Sequence, residues 1–404
     1  MKNLLTRQLF YACPVLFCFV LPFGGPILSL IIIAWIFLSF FNINQSSLKR
    51  ALFKKQSSIL ILFFILTCLS ALYSSNQKEA ITCIEIKLSF IIFPWLLFYF
   101  EYPVQILKKC LISFVSGCFF ASLILLIRST IYAVQGHPEY YFYTLFSDFI
   151  HASYFSMYLI FAITIVLVFY HHWFSSQKEM KYISIFFVSI FILCIFLCSS
   201  KLGLISLFLC LPIIAIYRNR QFLKMKYLLG LCLGILLVVF VSSKIFPNSF
   251  QRLQSITSLD LTHIDKSAKE STAVRVLIWK EAARLISQKP LLGHGVGDAN
   301  DQLFLAYETN GITGALKYRL NAHNQYLQTF IGMGLAGILI IIYLTWFQIV
   351  VALKQRKVIL LIFAFLVSLN FLVESMLQTA AGVLFFVFFF CFTHLISEKD
   401  FMHA

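Results

Sequence analysis

The sequence predicts an all-α fold: a polytopic membrane helix bundle of about twelve transmembrane helices with one long helical outer loop. Three observations carry this. The 404 residues are 60% hydrophobic and only 12% charged, against roughly 45–50% and about 25% in soluble domains. Twelve apolar stretches have the ~17–25 residues that cross a hydrocarbon core. The connections between them are short, with Lys and Arg gathered on one side. A transmembrane β-barrel would instead show alternating segments of about ten residues, and none is present.

In chain order the expected spans are 7–23, 26–43, 59–75, 83–100, 110–133, 151–170, 182–199, 201–217, 227–246, 325–351, 358–374 and 376–396. Lys2 and Arg7 give the first span a basic start, as in a signal peptide. No small-residue cleavage site follows, however, and the run continues through "LPFGGP" into the second span, so an uncleaved first helix is expected. The seventh and eighth spans nearly fuse around "CSSKLG", which implies a tight hairpin. The chain thus divides into residues 1–246 with helices one to nine, a long loop at 247–322, and residues 323–404 with helices ten to twelve and a short tail.

Lys and Arg placement sets the orientation. With the N-terminus inside, eighteen of the thirty-two fall on the inner side. Outside the long loop, only Lys78, Lys87, Arg128 and Lys201 fall opposite. The positive-inside rule therefore puts both termini in the cytoplasm and the loop on the far side. The net charge of +16 follows from this bias and from attraction to anionic membrane lipids; it is no nucleic-acid footprint. The eleven cysteines show no CxxC pair and avoid the long loop, so neither a disulfide framework nor a metal site is expected. No internal repeat is visible, which weakens a transporter or flippase reading, since many transporters are built from repeats.

Within the loop, "STAVRVLIWKEAARLISQKP" predicts an amphipathic helix. Ser271 or Thr272 can cap it, Val274, Leu277, Ile278 and Leu285 form its apolar stripe, and Pro290 lies just past its end. Arg275 and Trp279 are four apart and share a face. Two readings of Arg275 stand: a solvated or snorkelling side chain, or a planar fork that grips an anionic group with two charge-assisted bonds. Next, "GHGVGD" predicts a tight turn that folds the loop helix back onto the bundle, with His294 as a turn residue or a substrate contact. It follows no strand, so a nucleotide-binding reading fails its context.

Charges beside spans are costly and tend to face a cavity. Glu85, Lys87, Arg128, Lys201 and Glu374 all fall on the loop side. If Lys87, Arg128, Lys201 and Arg275 converge there, they form an anion site. The remaining candidates lie in "YRLNAHNQYLQTFIGMGLAGILI", where Arg319, His323 and Asn324 stand at the mouth of the tenth span. On a continuous helix His323 would share a face with Tyr326, Leu327 and Phe330. It is then either an interfacial side chain or a group that takes a proton near neutral pH. Gly332, Gly334 and Gly337 below it permit close helix packing.

Together, "RVLIWKEAARLISQKPLLGHGVGD", "AHNQYLQTFIGMGLAGIL" and an outer loop between the ninth and tenth of twelve spans resemble the O-antigen ligase and O-antigen polymerase family. The likeness is specific over residues 271–340; "HASYFSMYL" from His151 and "ESMLQTAAGVLFF" from Glu374 also look similar. The resemblance implies a metal-independent glycosyltransferase of the bacterial inner membrane with a periplasmic loop. Such an enzyme takes a glycan from undecaprenyl diphosphate and passes it to lipid A–core (ligase) or to another lipid-linked glycan (polymerase). It implies that Arg275 and His323 are catalytic, and that Lys201 stands where the family usually has Arg. Arg275, Lys201, Arg128 and Lys87 are then the expected diphosphate-binding set. Arg319, Asn324, Trp279, His294 and Glu374 are expected to touch substrate. No cofactor is expected.

Overall fold

The computed structural model describes residues 2–43, 54–174, 178–218, 265–267 and 272–397. The expected ninth span, the loop before residue 265 and Ser271 lie outside them. Among the described residues every regular element is a helix, and the chain is a polytopic helical bundle. Eleven of the twelve expected spans are there as helices. Six are long and apolar enough to cross a membrane, and five are shorter apolar helices.

The last helix, Ala380–Leu395, occupies the centre. Its sequence "AAGVLFFVFFFCFTHL" is apolar on every face, the signature of a helix surrounded by others; Phe385 to Phe392 are all fully buried. Lipid chains are as apolar as the helices, so association rests on shape and contact rather than on escape from water. Aromatic rings provide that contact here. Phe385 stacks on Tyr158 with centroids 4.4 Å apart, Phe389 meets Phe114 at 4.9 Å, and Phe388 meets Phe17 at 4.8 Å, all within the favourable pairing range.

The two ends of the bundle differ. At one, basic helix ends gather: Lys55 lies over the Phe347 ring at 5.4 Å, and Lys357 donates to the His394 carbonyl at 3.3 Å. The other end carries the loop. There the helix Thr272–Gln288 buries Val274, Ile278 and Leu285, three of the four expected stripe residues, with Leu277 partly buried beside them. They pack against Leu303 and Tyr307 of the helix Ala299–Thr309 and against Ile331 of the long helix Gln325–Gln355. Asp298 then fastens the loop to the third span by accepting from the Ser75 and Asn76 N–H groups, each at 2.7 Å.

The "GHGVGD" turn does dock on the bundle, and the structure changes the role of one glycine. Gly334 is not a helix–helix packing residue: the long helix breaks there, at φ +61°. The turn fills the break. His294 N–H donates to Ile331 O at 2.7 Å, Gly295 N–H to Gly332 O at 3.0 Å, and Leu335 N–H to Pro290 O at 2.9 Å, so backbone groups freed by the break find partners. A Cβ on Gly334 would lie 2.2 Å from the Leu291 carbonyl oxygen. Gly334→Ala is therefore expected to destabilise the fold by ~1–3 kcal/mol from backbone strain, plus the clash. Melting of the purified protein, followed by size-exclusion fluorescence, should show a clear drop; a wild-type midpoint would contradict this docking.

Candidate active site

The site is built from three chain segments that meet at the loop end. The first is the loop helix. Arg275, on its first turn, donates from Nη1 to the Val373 carbonyl at 2.8 Å and from Nη2 to Glu374 Oε1 at 3.2 Å. One turn later, Trp279 Nε1 donates to the Ala322 carbonyl at 3.0 Å. The shared face expected for Arg275 and Trp279 thus looks onto the segments around 322 and 374.

The second segment carries His323, and here the helical-face expectation is corrected. The long helix begins only at Gln325, because Asn324 caps it: its side chain accepts from the Leu327 N–H at 3.1 Å, as capping asparagines do. His323 precedes the cap in a left-handed conformation, φ +43°, one that histidine tolerates better than most residues. Its neighbours hold it there. Asn321 Oδ1 accepts from the His323 N–H at 2.9 Å, and buried Gln328 accepts from the Ala322 N–H at 3.0 Å. Asn324 also donates to the Leu372 carbonyl at 2.9 Å. The imidazole consequently points across to the third segment, with Nδ1 3.3 Å from Glu374 Oε2.

That third segment is the connection after Val373, where the eleventh-span helix ends. Glu374 is 7% exposed and lies between Arg275 and His323, one on each carboxylate oxygen. Ser153 Oγ adds a bond to Oε1 at 3.3 Å, and His151 lies within electrostatic range. Burial alone would raise this carboxyl. The His323 hydrogen bond and the positive charges of Arg275, His323 and His151 outweigh burial and bring it down to about 2, from an ordinary 4.5. A carboxylate depressed in the folded state stabilises the fold above its unfolded value, and this support is lost as pH falls through the folded one. Wild-type stability should therefore decline between about pH 4.5 and pH 2 by more than in Glu374→Gln. Parallel pH-melting curves would show no such contribution.

An ionised carboxylate has no proton to donate, so the proton of a neutral His323 sits on the facing Nδ1 and leaves Nε2 as an acceptor. On the other flank, Arg275 spends two of the five N–H donors of a guanidinium on Val373 and Glu374. Lys201, at the start of the eighth-span helix, donates to Thr272 Oγ1 at 2.8 Å. It thereby stands at the same turn of the loop helix as Arg275.

The other expected residues fall elsewhere, and the fourfold basic cluster does not form. Arg128 pairs with Asp148 at 2.5 Å and donates to the Leu145 carbonyl at 2.7 Å, because the segment after its helix folds back with a carboxylate of its own. Lys87 is buried in a separate small cavity lined by Phe63, Val296, Gln325, Gln328 and Gln378. Arg319 is exposed and stacks its guanidinium on the Phe304 ring at 4.4 Å. The His294 ring bonds the Leu285 carbonyl at 2.9 Å and so pins the turn to the end of the loop helix. Conversely, Ser153 and His151 are absent from the expected site; the "HASYFSMYL" resemblance is the one sequence signal that points to them.

Residues 185–342 match the family model described as O-antigen ligase, a stretch that includes Lys201, Arg275 and His323. No curated protein matches the chain.

Proposed function

From the O-antigen ligase family that residues 185–342 share, we propose that this membrane protein is a ligase-like glycosyltransferase. It transfers a glycan from undecaprenyl diphosphate to lipid A–core at the periplasmic face of the bacterial inner membrane. The observation that carries this is the convergence of Arg275 and His323 on Glu374, at the junction of the loop helix and the bundle.

The chemistry follows from those three side chains. An acceptor hydroxyl attacks the anomeric carbon of the donor sugar, and a new C–O bond forms. The bond from that carbon to the phosphate oxygen breaks, and undecaprenyl diphosphate leaves with the electron pair. His323 Nε2 takes the hydroxyl proton as general base. Glu374 holds the imidazole in the tautomer this needs and stabilises the imidazolium that results, a carboxylate–histidine arrangement familiar from hydrolases. Arg275, with Lys201 beside Thr272, neutralises the charge that develops on the leaving diphosphate. A polyprenyl tail stays in lipid while its head reaches the loop, which accounts for a site at the rim of the bundle rather than at its centre.

The test is transfer by the purified chain between a lipid-diphosphate glycan and lipid A–core. Release of undecaprenyl diphosphate together with a glycosylated product is expected, and it should persist in a divalent-metal chelator because Arg275 and Lys201 supply the positive charge. Movement of lipid-linked glycan across the bilayer without bond cleavage would instead favour a transporter. In a deletion strain, accumulated lipid-linked polymer supports the ligase; core bearing a single repeat would move the assignment to a polymerase.

A further inference from the structure

A second concave feature adjoins the site. Between the fifth and sixth spans the chain forms a short 3-10 helix at Pro138–Tyr141 and a one-turn helix at Tyr143–Phe146. These line an open groove of about 490 Å³ with Pro138, Glu139, Phe142, Tyr143, Thr144 and Leu145, a volume within the roughly 300–1,000 Å³ of small-molecule sites. Tyr143 sits at φ +56°, a conformation that bulky residues rarely adopt. It both lines the groove and meets His151 edge-on, ring centroids 5.9 Å apart. His151 Nδ1 accepts from the Ser153 N–H at 3.4 Å, and Ser153 Oγ donates to Glu374. The groove is thus two residues removed from the carboxylate that orients His323.

We infer that this groove seats an uncharged pyranose ring of the acceptor glycan; the inference rests on the glycosyltransferase reading above. Its lining suits both surfaces of a sugar. The C–H faces of a pyranose carry slight positive charge and pack on the negative faces of aromatic rings, which Phe142 and Tyr143 provide. The hydroxyl rim needs hydrogen-bonding groups, and Glu139 and Thr144 are exposed there. The Glu139 carboxylate is fixed by His137 Nδ1 at 3.0 Å; it accepts sugar hydroxyls and repels phosphate. That repulsion argues against the donor diphosphate, and the exposed polar rim argues against a lipid tail. The connection through His151 and Ser153 ends on Glu374 Oε1, and the other oxygen of the same carboxylate faces His323, so the groove and the general base share one positioning group.

Saturation-transfer NMR on the full chain in lipid nanodiscs tests this. The probes are core oligosaccharide, freed from lipopolysaccharide by mild acid, and the isolated repeat-unit oligosaccharide. Ring C–H protons of the core oligosaccharide should receive saturation from the wild type and equally from His323→Ala. Binding should weaken about tenfold in Phe142→Ala, the range ring stacking contributes. Phe142→Leu, which keeps the apolar bulk, should show the same loss, and Phe142→Tyr should retain binding. Undiminished core binding in Phe142→Leu, no core binding to the wild type, or Phe142-dependent binding of the repeat unit alone overturns the inference. Failure of the transfer reading is separate: the groove then binds core oligosaccharide in a protein that releases no undecaprenyl diphosphate.

Discussion

His323→Ala is expected to lower glycan transfer by about 10²–10⁴-fold, the usual contribution of a general base, with folded protein near wild-type abundance. The second half of that expectation comes from the geometry. His323 is partly exposed, at 16% of its side-chain surface, and its backbone is held by Asn321, Gln328 and the Asn324 cap rather than by its own ring. Removing the imidazole leaves Glu374 still bonded to Arg275 and Ser153. Steady-state transfer with purified variants, alongside membrane abundance, checks both parts. A variant that transfers at the wild-type rate would remove His323 from the reaction.

Arg275→Ala should lower transfer by about 10²–10³-fold, the usual loss for a transition-state donor, and should also lower stability. The reason is the near-complete burial of Glu374. Breaking a buried pair by deleting one partner typically costs ~3–5 kcal/mol, because the remaining charge is left uncompensated. The two losses can be separated. In Arg275→Ala/Glu374→Gln the unpaired charge is gone, so stability should largely return while transfer stays lost. Arg275→Lys should keep the fold and lose transfer, since an ammonium cannot make the two parallel bonds of a guanidinium. Recovery of transfer in the double variant would show that Arg275 matters only as a counter-ion to Glu374.

Much of the bundle was legible in the sequence because hydrophobic length reports directly on membrane crossing. The loop helix was legible as well, its period showing in Val274, Ile278 and Leu285. What the pattern could not give was who pairs with whom. Arg128 reads as a candidate anion ligand until the chain turns and supplies Asp148. Glu374 reads as one more costly charge until the last two spans place it between Arg275 and His323, which are 99 and 51 residues away in sequence but adjacent in space. His323 suffered from the opposite error. Its apolar neighbours continue the helical period, so the local cap at Asn324 is hidden, and that cap turns the imidazole off the helix. Gly334 likewise reads as a packing glycine, because nothing in its neighbourhood announces that a distant turn will enter the helix.

On this mechanism a lipid-borne diphosphate should bind where Arg275 and His323 meet across Glu374. A cryo-electron-microscopy map of the chain with undecaprenyl diphosphate tests it most directly. Diphosphate density is expected within hydrogen-bond distance of Arg275, with His323 on the side from which the acceptor enters and the polyprenyl tail running down the lipid-facing surface. Diphosphate density elsewhere, or Arg275 and His323 at opposite faces of the bilayer, would contradict it.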